Sequence, residues 1–348
     1  MTAQELAQRF CAYLAHRLPD ARDIRVPLVN PIFGGASRET FSMELSYRTL
    51  LEPVSQRVIL RREFESGIID TSIATEYKAY QAFRSSQVPV PRVFWSEHDP
   101  RWLGTPFYVM EEILDCEALH VLFSAPPFRS VREQVGRSFC TIMGTIARTD
   151  PAAVGLRDGL EPVAPEDCWK RELTYWMKKA EESELEPQPV LRAAIRWLWR
   201  RPPPPARKIA IVHGDMRAGN FLFNEDGVIR AVLDWEMMHL GDPLEDLSWS
   251  LNRLWSWTEP DRIGIMIPRE EGIRVWEEAS GQKVDLQALF WWEVFTSVKS
   301  MAIWLSMNKK YATGANTDPI VGYGGIWALD LQRRILMEQM RRAHETHG

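Results

Sequence analysis

The chain has 348 residues, 45% of them hydrophobic and 26% charged, and a formal net charge of −5. This composition excludes the disordered and fibrous classes and is large enough for two packed lobes. The negative balance argues against a nucleic-acid or anionic-membrane partner, since there is no whole-molecule positive field to hold one.

The N-terminal MTAQELAQRFCAYLAHRLPD has neither the apolar run nor the small-residue cleavage site of a secretory signal. No stretch reaches the length of a membrane span, so a cytoplasmic protein is expected. Cys11, Cys116, Cys140 and Cys168 are scattered without zinc or redox spacing and read as reduced core residues. Thr2 and Glu5 form a capping box, and Leu6, Phe10 and Leu14 recur at helical spacing, which predicts an amphipathic helix ending before Pro19. VPLVNPIF, ETFSMELSY and RVILRREF then predict three consecutive antiparallel strands, with Phe41, Met43, Leu45 and Tyr47 alternating in the second. Gly34-Gly35-Ala36-Ser37-Arg38 turns the first into the second. Residues 71–84 set Ile73, Glu76, Tyr77, Tyr80 and Phe83 on one helical face, with Asp70 or Thr71 as N-cap. VPVPRVFW and GTPFYVMEEI predict two more strands, the first opened by prolines that suit an edge. A first lobe over 1–113 is expected.

The second lobe, 114–348, is predominantly helical, with VREQVGRSFCTIMGTIAR and WKRELTYWMKKAEE as clear helices and no internal repeat. A stiff spacer, Arg201-Pro202-Pro203-Pro204-Pro205, delivers the chain to the apolar strand Ile209-Ala210-Ile211-Val212. His213-Gly214-Asp215-Met216-Arg217-Ala218-Gly219-Asn220 follows, then a strand FLF, a turn at Asn224-Glu225-Asp226-Gly227, a strand VIRAVL, and Asp234. Such a hairpin folds Asp234 back beside Asp215 and Asn220. Bringing these oxygen-bearing side chains together is costly unless a cation relieves the repulsion.

Transfer of a terminal phosphoryl group requires positioning, neutralisation of phosphate charge and an acceptor for the attacking hydroxyl's proton. Asp215 can orient and deprotonate the hydroxyl, and Asn220 and Asp234 offer the hard oxygens that magnesium prefers. Arg61 can contact phosphates, Glu76 can aim it through an ion pair, and Gly34 and Gly35 let backbone amides approach the phosphates closely.

In order and spacing these residues resemble the aminoglycoside phosphotransferase and choline kinase family of the protein-kinase-like superfamily, over nearly the whole chain. IVHGDMRAGNFLF looks like its catalytic loop and AVLDWEMMHLGDPLEDLSW like its metal-binding segment. The resemblance implies an α+β, two-lobed protein-kinase-like fold, with an antiparallel-sheet N-lobe bearing one key helix and a mainly helical C-lobe. It implies ATP and Mg2+ as cofactors, Asp215 as catalytic base, and Asn220 and Asp234 as magnesium ligands. Arg61 takes the strand-lysine position with Glu76 as its helix partner. Gly34, Gly35 and Ser37 belong to the phosphate-binding turn, and Met110, Glu111 and Ile113 to a hinge segment that binds adenine through backbone groups. The subgroup resembled is the kinase-like domain found alone in bacteria or attached to acyl-CoA dehydrogenases, which acts on hydroxylated small molecules or hydroxyacyl thioesters. Two departures from the family pattern stand out: Arg61 replaces the usual lysine, and Leu114-Asp115-Cys116 stands where many members carry a glycine.

His213 reads as a structural loop residue, and Asp242 and Asp246 read as caps of a helix beginning near Pro243. Most of the 15 tryptophans read as packing of the second lobe, but Trp255, Trp257, Trp291 or Trp292 would favour an apolar or acyl acceptor if partly exposed. The arginines of DLQRRILMEQMRRAHETHG read either as a charge that repels an aminoglycoside or as a solvated helix face. The expected function is transfer of the γ-phosphoryl group of ATP to a hydroxylated small molecule. The alternatives are an antibiotic kinase and a nucleotide-binding pseudokinase. The short interval from Trp235 to Asp242 leaves little room for a protein kinase's activation segment.

Overall fold

A capping box opens the first element: the Thr2 hydroxyl accepts the Glu5 N–H at 3.2 Å, and the Glu5 carboxylate accepts the Thr2 N–H at 2.8 Å. Helix α1 (Ala3–Arg17) follows and buries Leu6, Phe10, Tyr13 and Leu14. This computed structural model describes residues 1–32, 38–63 and 72–345. Gly34, Gly35 and Ser37 therefore lie outside the described residues, as do Asp70 and Thr71.

Strands β1 (Arg22–Ile32), β2 (Arg38–Arg48), β3 (Pro53–Glu63), β4 (Val93–Glu97) and β5 (Phe107–Glu111) form an antiparallel sheet in the order β1-β2-β3-β5-β4. The alternation in β2 does what its period requires, sending Met43 and Leu45 into a core with Val58, Leu60, Phe107, Val109 and the apolar face of α1. Burying each such side chain stabilises by roughly 1.5–3 kcal/mol. Between β3 and β4, helix α2 (Ile73–Phe83) is capped by Ser72, whose hydroxyl accepts the Ala74 N–H at 3.2 Å. The cap thus stands one residue beyond the expected Thr71, at the position from which a short hydroxyl reaches the N2 amide.

The chain divides into a unit of Met1–Ser85 with Val90–Asp115 and a unit of Ser86–Pro89 with Cys116–Gly348. Pro89 joins the second unit because its carbonyl accepts the Val232 N–H at 2.8 Å. That unit contains α3 (Arg132–Arg148), α4 (Cys168–Ser183) and α5 (Pro189–Arg200), then the short strands β6 (Ala210–Val212), β7 (Phe221–Phe223), β8 (Ile229–Val232) and β9 (His239–Gly241). After these come α6 (Leu244–Ser250), the β10 (Arg262–Ile263) and β11 (Ile267–Pro268) ribbon, α7 (Arg269–Ser280), α8 (Leu286–Ala312), α9 (Pro319–Tyr323) and α10 (Leu329–Glu345). Strand β6 pairs with β9 and β7 with β8, so the loops after β6 and β8 are neighbours. Helix α8 is buried nearly all round, with α4, α5, α6 and α10 packed on it. Among the described residues no helix is long and apolar enough to cross a membrane.

Candidate active site

Strand β6 ends at Val212 and delivers His213, Gly214 and Asp215. Gly214 has φ +84°, and a Cβ there would lie 2.5 Å from the Met237 carbonyl oxygen, so the position requires glycine. Beyond the ladder, the N–H groups of His213 and Gly214 donate to the Asp246 carboxylate at 2.7 and 2.9 Å, and the Gly214 carbonyl accepts Lys299 Nζ at 2.6 Å. Backbone groups that a short strand leaves without ladder partners are thereby satisfied by side chains. The Asp215 N–H donates to His213 Nδ1 at 3.2 Å, which makes Nδ1 an acceptor and leaves the proton on Nε2, donated to the Leu233 carbonyl at 2.9 Å. His213 is fully buried and structural, as its loop position suggests.

Asp215 carries a side chain held by several donors. Oδ1 accepts Trp249 Nε1 at 2.7 Å and Arg217 Nε at 3.1 Å, while Oδ2 accepts Asn220 Nδ2 at 2.7 Å. The other Asn220 Nδ2 contact is to the Asp215 carbonyl at 2.9 Å, so both amide hydrogens face Asp215 and Oδ1 of Asn220 faces away. Leu233, the residue before Asp234, donates its N–H to the Asn220 carbonyl at 2.8 Å. The hairpin therefore brings the backbone at Asp234 beside the loop. Asp234 itself sits at φ 68°, ψ 54°, a left-handed conformation uncommon outside glycine. Such strain in a non-glycine residue clusters at functional positions.

Asp242 and Asp246 part company. Asp242 caps α6, accepting the Leu244 N–H at 3.0 Å, and burial pushes its carboxyl up to about 6. Asp246 does not cap: its carboxylate turns back to the free amides after β6, and burial raises it although those amides offset part of the rise.

Behind the loop lies a charge network that the sequence reading missed. Lys299 Nζ donates to Glu245 Oε1 at 2.8 Å and lies 4.9 Å from the Trp249 ring centroid and 5.3 Å from that of Trp176. His239 Nδ1 donates to the Met237 carbonyl at 2.9 Å and Nε2 to Glu245 Oε2 at 3.1 Å, with Glu172 at 3.6 Å. Both ring nitrogens face acceptors, so the ring is an imidazolium. Burial opposes that charge, but Glu172 and Glu245 outweigh it and raise His239 to about 9. Burial likewise opposes ionisation of Glu245, and Lys299 and His239 overcome it, holding that carboxyl well below its ordinary value. Glu172, His239 and Glu245 place ligand atoms within 4.8 Å of one another, but the protein's own cations already fill the cluster. The available signal was Lys299 itself, a lone cation in the apolar run of α8.

In the first unit, Arg61 Nη1 meets Glu76 Oε1 at 2.7 Å, and Arg38 Nε lies 4.0 Å from Glu76 Oε2. Glu76 is fully buried and Arg61 is 8% exposed, which separates this pair from the surface pairs that contribute little. Arg61 faces Tyr108 across β3 and β5, and burial holds that phenol well above its ordinary value. Along 110–113, the Glu111 N–H donates to the Arg92 carbonyl at 2.8 Å and the Glu112 N–H to that of Arg57 at 3.3 Å. The Glu112 carboxylate takes Arg57 in a fork at 2.8 and 3.1 Å. Among the described residues no acceptor takes the Ile113 N–H. Asp115 has φ 55°, the left-handed region, so this position keeps a glycine-like conformation without the glycine.

Trp255, Trp291 and Trp292 are buried, and Trp255 lies under the Arg217 guanidinium at 4.8 Å. Trp257 alone of the four is exposed, at 40%, and meets Trp327 edge-on at 5.2 Å, which in turn stacks on Tyr323 at 5.0 Å. Three of the four arginines of α10 are engaged: Arg333 with Glu186 at 2.8 Å, Arg334 with Asp330 at 2.7 Å, and Arg342 over Phe290 at 4.7 Å.

A family model described as "Phosphotransferase enzyme family" matches residues 31–281. Acyl-CoA dehydrogenase family member 11 of Rattus norvegicus is 30% identical over 275 residues, which are 77% of this chain and 34% of that protein. The chain spans about a fifth to a third of the length of the curated relatives it matches first. Among solved structures, a candidate aminoglycoside phosphotransferase from Ralstonia eutropha superposes with TM-score 0.73 at 21% identity, over 96% of this chain and 98% of that one. The GDP and kanamycin complex of APH(2")-IIia superposes with TM-score 0.63 at 14% identity, over 93% and 98%. At these identities the superpositions establish the kinase-like fold.

Proposed function

The chain belongs to the phosphotransferase enzyme family, and from that premise we propose that it moves the γ-phosphoryl group of ATP to a hydroxyl of a small molecule, with Asp215 as general base. The observation that carries the proposal is the Asp215 carboxylate, held by Trp249, Arg217 and Asn220 at the end of a loop whose preceding backbone is clamped by Asp246 and Lys299. A base fixed in this way meets the geometric demand of proton transfer in the transition state.

The donor chemistry fits magnesium. Asn220 Oδ1 is turned from Asp215 because both amide hydrogens are committed there, and Asp234 adds a carboxylate, both hard oxygens. Asn220 and Asp234 would hold the ion, which when bound neutralises phosphate charge. In the first unit, Arg61 contacts phosphate while Glu76 fixes its direction, and its fork suits phosphate oxygens in place of the usual lysine. Gly34, Gly35 and Ser37 supply the phosphate-binding turn. Met110, Glu111 and Ile113 meet adenine through the backbone, with the Ile113 N–H as the donor the sheet leaves open.

The acceptor we favour is an apolar alcohol such as a hydroxyacyl thioester. Support comes from the exposed aromatic group of Trp257, Trp327 and Tyr323 and from the relatives named as acyl-CoA dehydrogenase family members. The test is magnesium-ATP consumption by the purified protein against hydroxyacyl-CoA esters, aminoglycosides, choline and sugars. Acceptor-dependent turnover is expected, and Asp215→Asn should lower it by roughly 10²- to 10⁴-fold with nucleotide binding intact. An Asp215→Asn enzyme with full turnover would remove Asp215 from the role.

A further inference from the structure

We infer that Trp249 is a positioning residue for Asp215, and that by filling Oδ1 it leaves Oδ2 as the atom that takes the acceptor's proton. The inference rests on the reading of Asp215 as general base.

An ionised carboxylate offers two lone-pair sites on each oxygen. Both sites of Oδ1 are occupied, by Trp249 Nε1 at 2.7 Å and Arg217 Nε at 3.1 Å. Oδ2 accepts Asn220 Nδ2 at 2.7 Å and, among the described residues, nothing else. One site is left for the hydroxyl hydrogen, and it is on Oδ2. In the transfer, the hydroxyl oxygen forms a bond to the γ-phosphorus and the bond from that phosphorus to the bridging oxygen breaks, with its electron pair leaving on ADP. The hydroxyl proton passes to Oδ2, and Asp215 becomes a neutral acid.

The indole suits this task because it has one N–H and no acceptor, so it can face a carboxylate in only one sense. Its placement is over-determined. Trp249 is 1% exposed, its carbonyl accepts Trp255 Nε1 at 3.0 Å, and its ring lies 5.5 Å from that of Trp255 and 4.9 Å from Lys299 Nζ. Helix α6 also carries Asp246, the acceptor of the His213 and Gly214 amides. A single helix therefore sets both the backbone before Asp215 and the direction of its carboxylate.

Trp249→Phe keeps an aromatic ring and removes the donor. Its kcat should fall about 10- to 100-fold, the worth of a hydrogen bond to a charged group. The KM for ATP should stay within about twofold of wild type, because the lost contact is not to nucleotide. Trp276→Phe trims an equally buried indole in α7 and serves as the packing control, with the wild-type kcat expected. A readout free of turnover is the indole N–H resonance of Trp249, assigned through the backbone, which should shift in Asp215→Asn when a carboxylate becomes an amide. A Trp249→Phe kcat equal to wild type, or a resonance indifferent to Asp215→Asn, overturns the inference. If Asp215→Asn retains turnover, the base assignment falls instead. An inert Asp215→Asn beside an unaltered Trp249→Phe sinks the role of Trp249 alone.

Discussion

Arg61 with Glu76 in the first unit and Lys299 with Glu245 in the second are both buried cation–carboxylate pairs, at 2.7 and 2.8 Å. They differ in what surrounds the cation. Lys299 is turned wholly inward: it holds the Gly214 carbonyl and lies against two indole rings. Arg61 Nη1 meets Glu76 Oε1 in a pair between strand and helix that Arg38 Nε approaches at 4.0 Å from Glu76 Oε2, and a planar guanidinium is a cation suited to bidentate anions. The same pairing chemistry therefore serves two ends. In the second unit it stiffens a loop from behind, and in the first we propose that it aims a cation at a ligand.

The comparison breaks first at Lys299. Lys299→Met leaves Glu245 with His239 as its remaining cation and strands the Gly214 carbonyl, and removing one partner of a buried pair costs about 3–5 kcal/mol. A large fall in the denaturant midpoint is expected, partly restored by adding Glu245→Gln. A Lys299→Met protein as stable as wild type would show the second pair to be dispensable for the loop.

Next in size is the pH dependence of the same network. His239 is raised to about 9 in the folded chain from an ordinary 6.5, so its contribution is complete below pH 6.5 and is lost as pH rises through 9. Thermal midpoints should decline over that window, by an amount equivalent to on the order of 3 kcal/mol at the limit. His239→Gln should flatten the decline. An unchanged slope in the variant would place the alkaline sensitivity elsewhere.

The first pair was legible in the sequence and the second was not, and the reason is distance along the chain. Glu76 and Arg61 are 15 residues apart, in a strand and the next helix. The HGD loop, Asn220 and Asp234 belong to one strand–turn–strand unit, whose register follows from alternation and turn residues. By contrast, Trp249 reaches Asp215 across 34 residues and Lys299 reaches Gly214 across 85, through packing of α6 and α8 that no local pattern encodes. Asp246 shows an intermediate case: its place at a helix start was readable, but the direction of its side chain depends on β6 ending just where two amides need an acceptor. The tryptophans teach the same lesson, since burial of Trp255, Trp291 and Trp292 and exposure of Trp257 depend on neighbours remote in sequence.

The finest separation between the two pairs is Glu76→Gln. The amide keeps an acceptor for Arg61 Nη1 at the position of Oε1, so the fold loses little hydrogen bonding, but it removes the charge that orients Arg61 and balances Arg38. If Arg61 serves nucleotide phosphates, the KM for ATP should rise about tenfold, equivalent to about 1.4 kcal/mol, with kcat less affected. Isothermal titration with a non-hydrolysable ATP analogue separates this from a folding defect, because the binding constant should weaken while the number of competent sites stays the same. The contrast with Lys299→Met is then one of kind: loss of the inward pair lowers stability, and loss of the Arg61 partner's charge lowers nucleotide affinity. Should Glu76→Gln bind the analogue as wild type does and merely melt earlier, Arg61 would be a strut like Lys299, and phosphate contact would have to come from other residues of the first unit.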